Sequence, residues 1–185
     1  MNFKTVKDSK VTISELMLPS HTNFSGKIHG GYILSLLDQI AFACASKFSG
    51  NYCVTASVDT VDFLNPIEVG ELVIMKASVN YVGKSSMIIG IRVEAEDIRT
   101  GRSKHCNSSY FTMVAKDIDG KNVQVPGLIL SNNDAIRRFY NCIKIIESRK
   151  DKQLHEEIFN YKSKEAILNL KDNYNIKLDF EIIDK

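Results

Sequence analysis

The sequence predicts an α+β fold: an antiparallel sheet curled round one long helix, with a helical extension at the C-terminus. Three observations carry that reading. The run from Tyr32 to about Phe48 has no glycine or proline, and its apolar side chains cover most of a helix circumference. Five other segments alternate with the period of a strand, and the last three are joined by short turns that make them antiparallel neighbours. Residues 132–170 lack glycine and proline altogether and are rich in Lys, Glu, Ile and Leu.

Residues 11–17, "VTISELM", alternate Val11 and Ile13 with Thr12 and Ser14 and predict the first strand. A loop rich in Ser, Thr, Asn and Gly leads to the helix. At about 100° per residue, Ile33, Leu37, Ile40, Ala41, Cys44 and Phe48 fall in one wide arc that also takes in Leu34, Phe42 and Ala45. Ser35, Gln39 and Ser46 share a narrow polar stripe. Asp38 falls inside the apolar arc. A helix this apolar has to be wrapped, and a curved sheet does that.

In "CVTASVDTVDFL", Val54, Ala56 and Val58 alternate before the pattern shifts to Val61 and Phe63, which predicts a bulge near Asp59 and Thr60. Residues 72–82 place Val73, Met75, Ala77, Val79 and Tyr81 on one face. After "GKSS", Met87, Ile89, Ile91, Val93 and Ala95 do the same, with Arg92, Glu94 and Glu96 opposite. Residues 103–116 form a fifth strand that ends at the turn signal "DIDGK". The tail sets Ile136, Phe139, Tyr140, Ile143 and Ile146 near helical spacing, enough for one or two helices. The predicted organisation is one domain over residues 1–130 and a helical extension over 131–185.

Composition narrows the function. With 24 Lys and Arg against 22 Asp and Glu, the chain lacks the dense basic field of a phosphate-backbone binder, so nucleic acid is not an expected partner. No stretch approaches the roughly 20 apolar residues that span a bilayer, and the N-terminus has no secretory apolar block, so neither a membrane partner nor export is expected. Cys44, Cys53, Cys106 and Cys142 are far apart, and with the four histidines they form no metal-ligand spacing. The expectation is a reduced, cytoplasmic chain with no bound metal.

Two features ask for chemistry. Gly30-Gly31, directly before the helix, leaves backbone N–H groups open at a positive dipole end, which suits an anion or a developing oxyanion. A glycine pair there also serves a tight turn. A carboxylate on an apolar face costs several kcal/mol unless it is paired or hydrogen-bonded, and no basic residue shares the arc of Asp38. Kept from solvent, such an acid holds a raised pKa and serves as general base or nucleophile. A buried, hydrogen-bonded structural Asp is the alternative.

The segments "NFSGKIHGG", "VTASVDTVDFLNPIEVGE", "GKSSM" and "SSYFTMVAKDIDGKNVQVPGL", with the acid seven residues after the glycine pair, resemble the hotdog-fold acyl-CoA thioesterases. The resemblance covers roughly residues 10–128 and points to the cytosolic, brain-type acyl-CoA hydrolase group and its short bacterial counterparts. It implies a hotdog fold, a five-stranded sheet round one central helix, and hydrolysis of acyl-CoA. It also implies a homodimer whose two active sites lie at the interface, and a hexamer built as a trimer of such dimers. Asn23 and Asp38, from opposite protomers, carry over as the catalytic pair.

In that frame Gly31 N–H faces the thioester oxygen, Gly30 shapes the turn, Asn23 positions water or carbonyl, and Asp38 activates water or attacks directly. His29 supports the loop at the substrate. Lys84, Ser85 and Ser86 in the "GKSS" turn are candidates for the phosphate end of coenzyme A, with Arg102 and Lys104 near the next turn. No cofactor beyond the substrate's own coenzyme A is called for. A non-catalytic acyl-CoA-binding regulatory protein is the alternative function, and a hydroxyacyl-thioester dehydratase fits less well because the helix offers no His.

Overall fold

The computed structural model describes residues 2–59 and 61–158. In chain order these form β1 (Phe3–Thr5), α1 (Val6–Ser9), β2 (Val11–Leu16), α2 (Gly30–Ser49), β3 (Tyr52–Val58), β4 (Asp62–Phe63), β5 (Glu71–Val82), β6 (Ser86–Asp97), β7 (Arg102–Lys116), β8 (Gly127–Ile129) and α3 (Asn133–Ile158). The main sheet runs in the order β2-β5-β6-β7-β3, antiparallel throughout, with short β4 continuing the edge beside β7. A second, two-stranded sheet pairs β1 with β8 in parallel; the sequence reading contained neither strand, nor α1.

The sheet wraps α2 as its apolar pattern requires. Ile33, Leu37, Ile40, Cys44 and Phe48 are buried against Val73, Met75 and Val79 of β5, Ile89 and Val93 of β6, and Phe111 and Met113 of β7. Burying a Leu, Ile, Phe or Met side chain is worth about 1.5–3 kcal/mol, so this seam is the main source of stability. The helix ends at Gly50, whose φ of 75° is the left-handed conformation a closing residue takes, with its N–H bonded to Ser46 O at 2.9 Å.

The edge strand breaks register twice. One break, not expected, lies between Thr55 and Ser57, at Ala56. The other lies between Val58, opposite Phe111, and Asp62, opposite Ser108, four residues against three, and the bulge expected near Asp59 and Thr60 falls in that interval. The alternation of Val54 and Ala56 does not mark the inner face. Cys53 pairs with Ala115 and Thr55 with Met113, both inward residues of β7, so Cys53 and Thr55 face the helix. The side-chain period is 2, so a one-residue error in phase exchanges the two faces. Likewise the bulge between Val79 and Tyr81 turns Tyr81 onto the outer face.

The chain divides into two units, Met1–Ile143 and Lys144–Lys185, and the boundary lies within α3. In the first unit, α3 crosses the outer face of the sheet. Ala135 and Cys142 are buried, and Phe139 meets Tyr81 with ring centroids 5.1 Å apart. Ile136 and Tyr140, expected to share the apolar stripe, are instead more than half exposed. Of the expected extension, residues 159–185 lie outside the described residues.

Candidate active site

The edge strand β3 and the helix α2 meet at Asp38. Thr55 Oγ1 donates to Asp38 Oδ1 at 2.5 Å and also lies 3.4 Å from Met113 Sδ. The second carboxylate oxygen has no donor among the described residues. Asp38, Phe42, Tyr52, Cys53, Thr55 and Met113 line a hollow of about 510 Å³, and the rings of Phe42 and Tyr52 pack edge to face at 5.6 Å. The placement of Asp38 corrects the expectation of a buried acid: within one chain it is exposed, as are Leu34 and Phe42, one turn to either side, at 37% and 39%. These residues belong to the apolar arc, but β3 is the last strand of the sheet, and no described element pairs with its outer edge.

The helix start is built differently from the expectation. Gly30 and Gly31 are the first two residues of α2 and do not precede it, and His29 is the N-cap, its Nδ1 accepting the Gly31 N–H at 2.9 Å. A Cβ on Gly31 would lie 3.0 Å from that ring, which is why a residue without a side chain suits the position. The Gly31 N–H is therefore occupied by the His29 ring, and the Gly30 N–H is the one without an acceptor among the described residues. His29 N–H bonds to His21 O at 2.8 Å; His21 stacks on Tyr32 at 4.0 Å, and the Tyr32 phenol donates to Glu15 on β2. That chain ties the loop to the sheet.

Asn23 shapes the same loop. Its Oδ1 accepts from Ser25 N–H and Ser25 Oγ, each at 2.9 Å, and from Lys27 N–H at 3.2 Å. Two backbone donors fix which amide atom is the oxygen, and the Nδ2 group is left without an acceptor among the described residues. The structure thus joins Asp38 to Thr55, which the sequence reading passed over, and holds Asn23, His29, Gly30 and Gly31 at the helix start. Gly31 is seven residues from Asp38, two helix turns or about 10 Å along the axis.

Lys84, Ser85 and Ser86 form the β5–β6 turn, closed by Gly83 N–H on Ser86 O at 2.8 Å. Lys84 O and Ser85 O accept from Val125 and Ala115, while the N–H groups of Lys84 and Ser85 have no acceptor among the described residues. Ser86 pairs with Val114, which pairs with Val54, so the turn lies two strands from the edge and at the same end of the sheet as Thr55. Lys104 and Arg102 lie at the opposite end, and Lys104 is paired with Glu71 at 2.8 Å.

The cysteines carry no nucleophile. All four are unpaired and buried, and burial pushes the thiols of Cys44 and Cys142 up to about 12. Among the described residues no His, Cys, Asp and Glu group could hold a metal, and no helix is long and apolar enough to cross a membrane.

The strand order and the sheath of sheet round α2 are those of the hotdog fold, the architecture of acyl-CoA thioesterase structures. Residues 25–102 match the thioesterase superfamily. The chain is 41% identical over 145 residues to Protein VdlD of Helicobacter pylori, covering 78% of this chain and 83% of that one. To YkhA of Bacillus subtilis, described as an uncharacterized acyl-CoA thioester hydrolase, it is 33% identical over 82% of this chain and 88% of that protein. The rat cytosolic acyl coenzyme A thioester hydrolase is 30% identical over 73% of this chain and 36% of its own length, so these bacterial relatives stand nearer than the cytosolic mammalian group.

Among solved structures, an apo-hexameric acyl-CoA thioesterase superposes with a TM-score of 0.80 at 32% identity, covering 83% of this chain and 98% of that one. Acyl-CoA hydrolase from Staphylococcus aureus, in complex with butyryl coenzyme A, gives 0.77 at 31% identity, over 84% of this chain and 94% of its own. Alanine variants of that enzyme have been solved at an Asn, an Asp and a Thr, spaced along its chain as Asn23, Asp38 and Thr55 are along this one. The chain belongs to the thioesterase superfamily.

Proposed function

We propose that the protein hydrolyses acyl-CoA thioesters to a free carboxylic acid and coenzyme A, at a site that two copies of the chain build together. The observation that carries this reading is the setting of Asp38. One of its oxygens is held by Thr55, and the carboxylate lines a hollow at the open edge of the sheet. The other oxygen either takes a proton from a water that attacks the thioester carbon or attacks that carbon itself, forming an anhydride that water then opens. Both routes break the C–S bond, protonate the departing sulfur and leave one oxygen from water in the acid.

The second copy follows from distance. Backbone N–H groups at a helix start point away from the body of the helix, and Asp38 is about 10 Å further along, so one chain cannot bring both to one carbonyl. In our reading Asp38 and Thr55 of one protomer face Asn23, His29, Gly30 and Gly31 of the other. The exposed Leu34 and Phe42 beside Asp38 are then covered, and Asp38 acquires the apolar surroundings its helix pattern called for. The hexameric relatives support a trimer of such dimers. The turn at Lys84, Ser85 and Ser86 takes the phosphate end of coenzyme A. Its open N–H groups and its place at the Thr55 end of the sheet support this.

The reaction consumes only water, so we assign it no metal or redox cofactor. We place the protein with the short bacterial counterparts of the cytosolic acyl-CoA hydrolases, and in the cytoplasm, where its four free cysteines stay reduced. The test is thiol release from a panel running from acetyl-CoA to palmitoyl-CoA. Turnover on at least one chain length, and a loss of roughly 10²-fold or more in Asp38→Asn, supports hydrolysis. Tight acyl-CoA binding with no thiol released would make the protein an acyl-CoA-binding regulator instead.

A further inference from the structure

The face of the sheet turned away from α2 is polar at its centre. Ser78, Asn80, Arg92, Ser108 and Tyr110 point outward there, and the first turns of α3 lie across it. Between helix and sheet remains a cleft of about 210 Å³, lined by Asn80, Arg92, Ser108, Tyr110, Arg137 and Arg138.

The guanidinium groups in this cleft are aligned but not saturated. Arg137 donates through Nε and Nη2 to Asp134 Oδ1 at 3.2 and 2.5 Å, and Arg138 through Nε to Oδ2 at 2.7 Å. Arg92 Nε bonds to Glu94 Oε1 at 2.8 Å, and Lys76 takes the other oxygen at 2.6 Å. Four cations thus share two carboxylates, which leaves an excess of two positive charges. Both terminal nitrogens of Arg92 and of Arg138, and Nη1 of Arg137, have no acceptor among the described residues.

A buried amide opens onto the same space. Asn80 stands at the bulge of β5 and is only 3% exposed; its Oδ1 accepts from Ser78 Oγ at 3.0 Å, and its Nδ2 has no acceptor among the described residues. The position is prepared by Gly90 opposite, since a Cβ there would lie 2.1 Å from Asn80 Nδ2. An unpaired donor beside three oriented guanidinium forks needs an acceptor-rich partner.

We propose that this cleft binds the phosphate group of a small anion. Planar guanidinium forks match phosphate oxygens in pairs, and the Asn80 amide adds a neutral donor of fixed direction. The cleft is smaller than the roughly 300–1,000 Å³ that encloses a whole drug-sized ligand, so it takes a phosphate or diphosphate group and leaves any larger body outside. It lies on the opposite face of the sheet from the inward-facing Thr55 and its partner Asp38, so the site stands apart from the hydrolytic one.

The test is calorimetric titration of the full chain with inorganic pyrophosphate at about 0.15 M salt, where nonspecific surface attraction is screened. Wild-type protein should show saturable binding, weakened at least about tenfold in Arg138→Gln and in Arg92→Gln. Lys121→Gln, which removes an exposed charge elsewhere, should leave it unchanged. Absence of saturable binding, or equal weakening in all three variants, overturns the proposal. Competition names the source of the phosphate. Displacement by coenzyme A but not by dephospho-coenzyme A identifies the 3′-phosphate of coenzyme A, and failure of both leaves a separate phosphate compound. Because the readout is binding, failure here leaves the hydrolase reading untouched, and failure of hydrolysis leaves this site untouched.

Discussion

Thr55 on the edge strand donates its hydroxyl to Asp38 on the central helix across 2.5 Å, and this bond ties together the two elements that frame the open hollow. It fixes the carboxylate's rotamer and leaves one oxygen for chemistry. Thr55→Ala should lower kcat by about 10- to 100-fold with KM little changed, since the lost contact orients a reacting group and does not bind substrate. Thr55→Ser keeps the hydroxyl and should recover most of the rate. Steady-state kinetics on the preferred acyl-CoA decides; equal activity in the alanine and wild-type proteins removes Thr55 from the site.

Asn23 has two separable tasks, and two substitutions divide them. Asn23→Asp keeps an oxygen for the Ser25 and Lys27 donors but loses the Nδ2 group, so it should melt near wild type while kcat falls by about tenfold or more. Asn23→Ala loses both tasks and should also melt lower. A wild-type rate in Asn23→Asp would confine this residue to loop architecture.

Gly31→Ala tests the helix start. The added methyl would press on the His29 ring at 3.0 Å, and displacing that cap costs about 1 kcal/mol. Thermal unfolding should show a Tm lowered by a few degrees, and His29→Ala should show a similar loss. If both variants melt as wild type, the His29 ring is not the cap that holds this helix start.

Glu94 gives a pH signature. The Lys76 ammonium and the Arg92 guanidinium, both bonded to it, hold its carboxyl down at about 2, against an ordinary 4.5. A carboxyl depressed in the folded state stabilises fully above its ordinary value and loses that contribution as pH falls through its folded value. Glu94→Gln should therefore cost about 1 kcal/mol near neutrality, and the gap from wild type should narrow as pH drops from 4.5 toward 2. Urea melts across that range measure it; a gap independent of pH would mean the ion pairs contribute nothing.

Much of this molecule was legible in the chain because burial imposes period. Val73, Met75 and Ala77, or Met87, Ile89 and Ile91, alternate because one face of their strands meets α2, and Ile33, Leu37, Ile40 and Cys44 recur because one stripe of the helix meets the sheet. The family motifs "HGG" and "GKSS" marked the helix start and a hairpin. Edge positions were less readable. Cys53 and Thr55 form no apolar alternation and the bulge at Ala56 leaves no local trace, so spacing alone puts this strand in the opposite phase and does not single out Thr55.

Side-chain spacing and transfer free energy were enough to specify a helix sheathed by an antiparallel sheet and an acid set at odds with the apolar arc around it. That the acid stands at the margin of the sheet, that Thr55 holds it, and that the His29 ring occupies the Gly31 N–H came from the folded arrangement alone. Those outcomes depend on strand order, register and cap geometry. Such relations join residues far apart in the chain or turn on a ring's orientation, and no local periodicity encodes them.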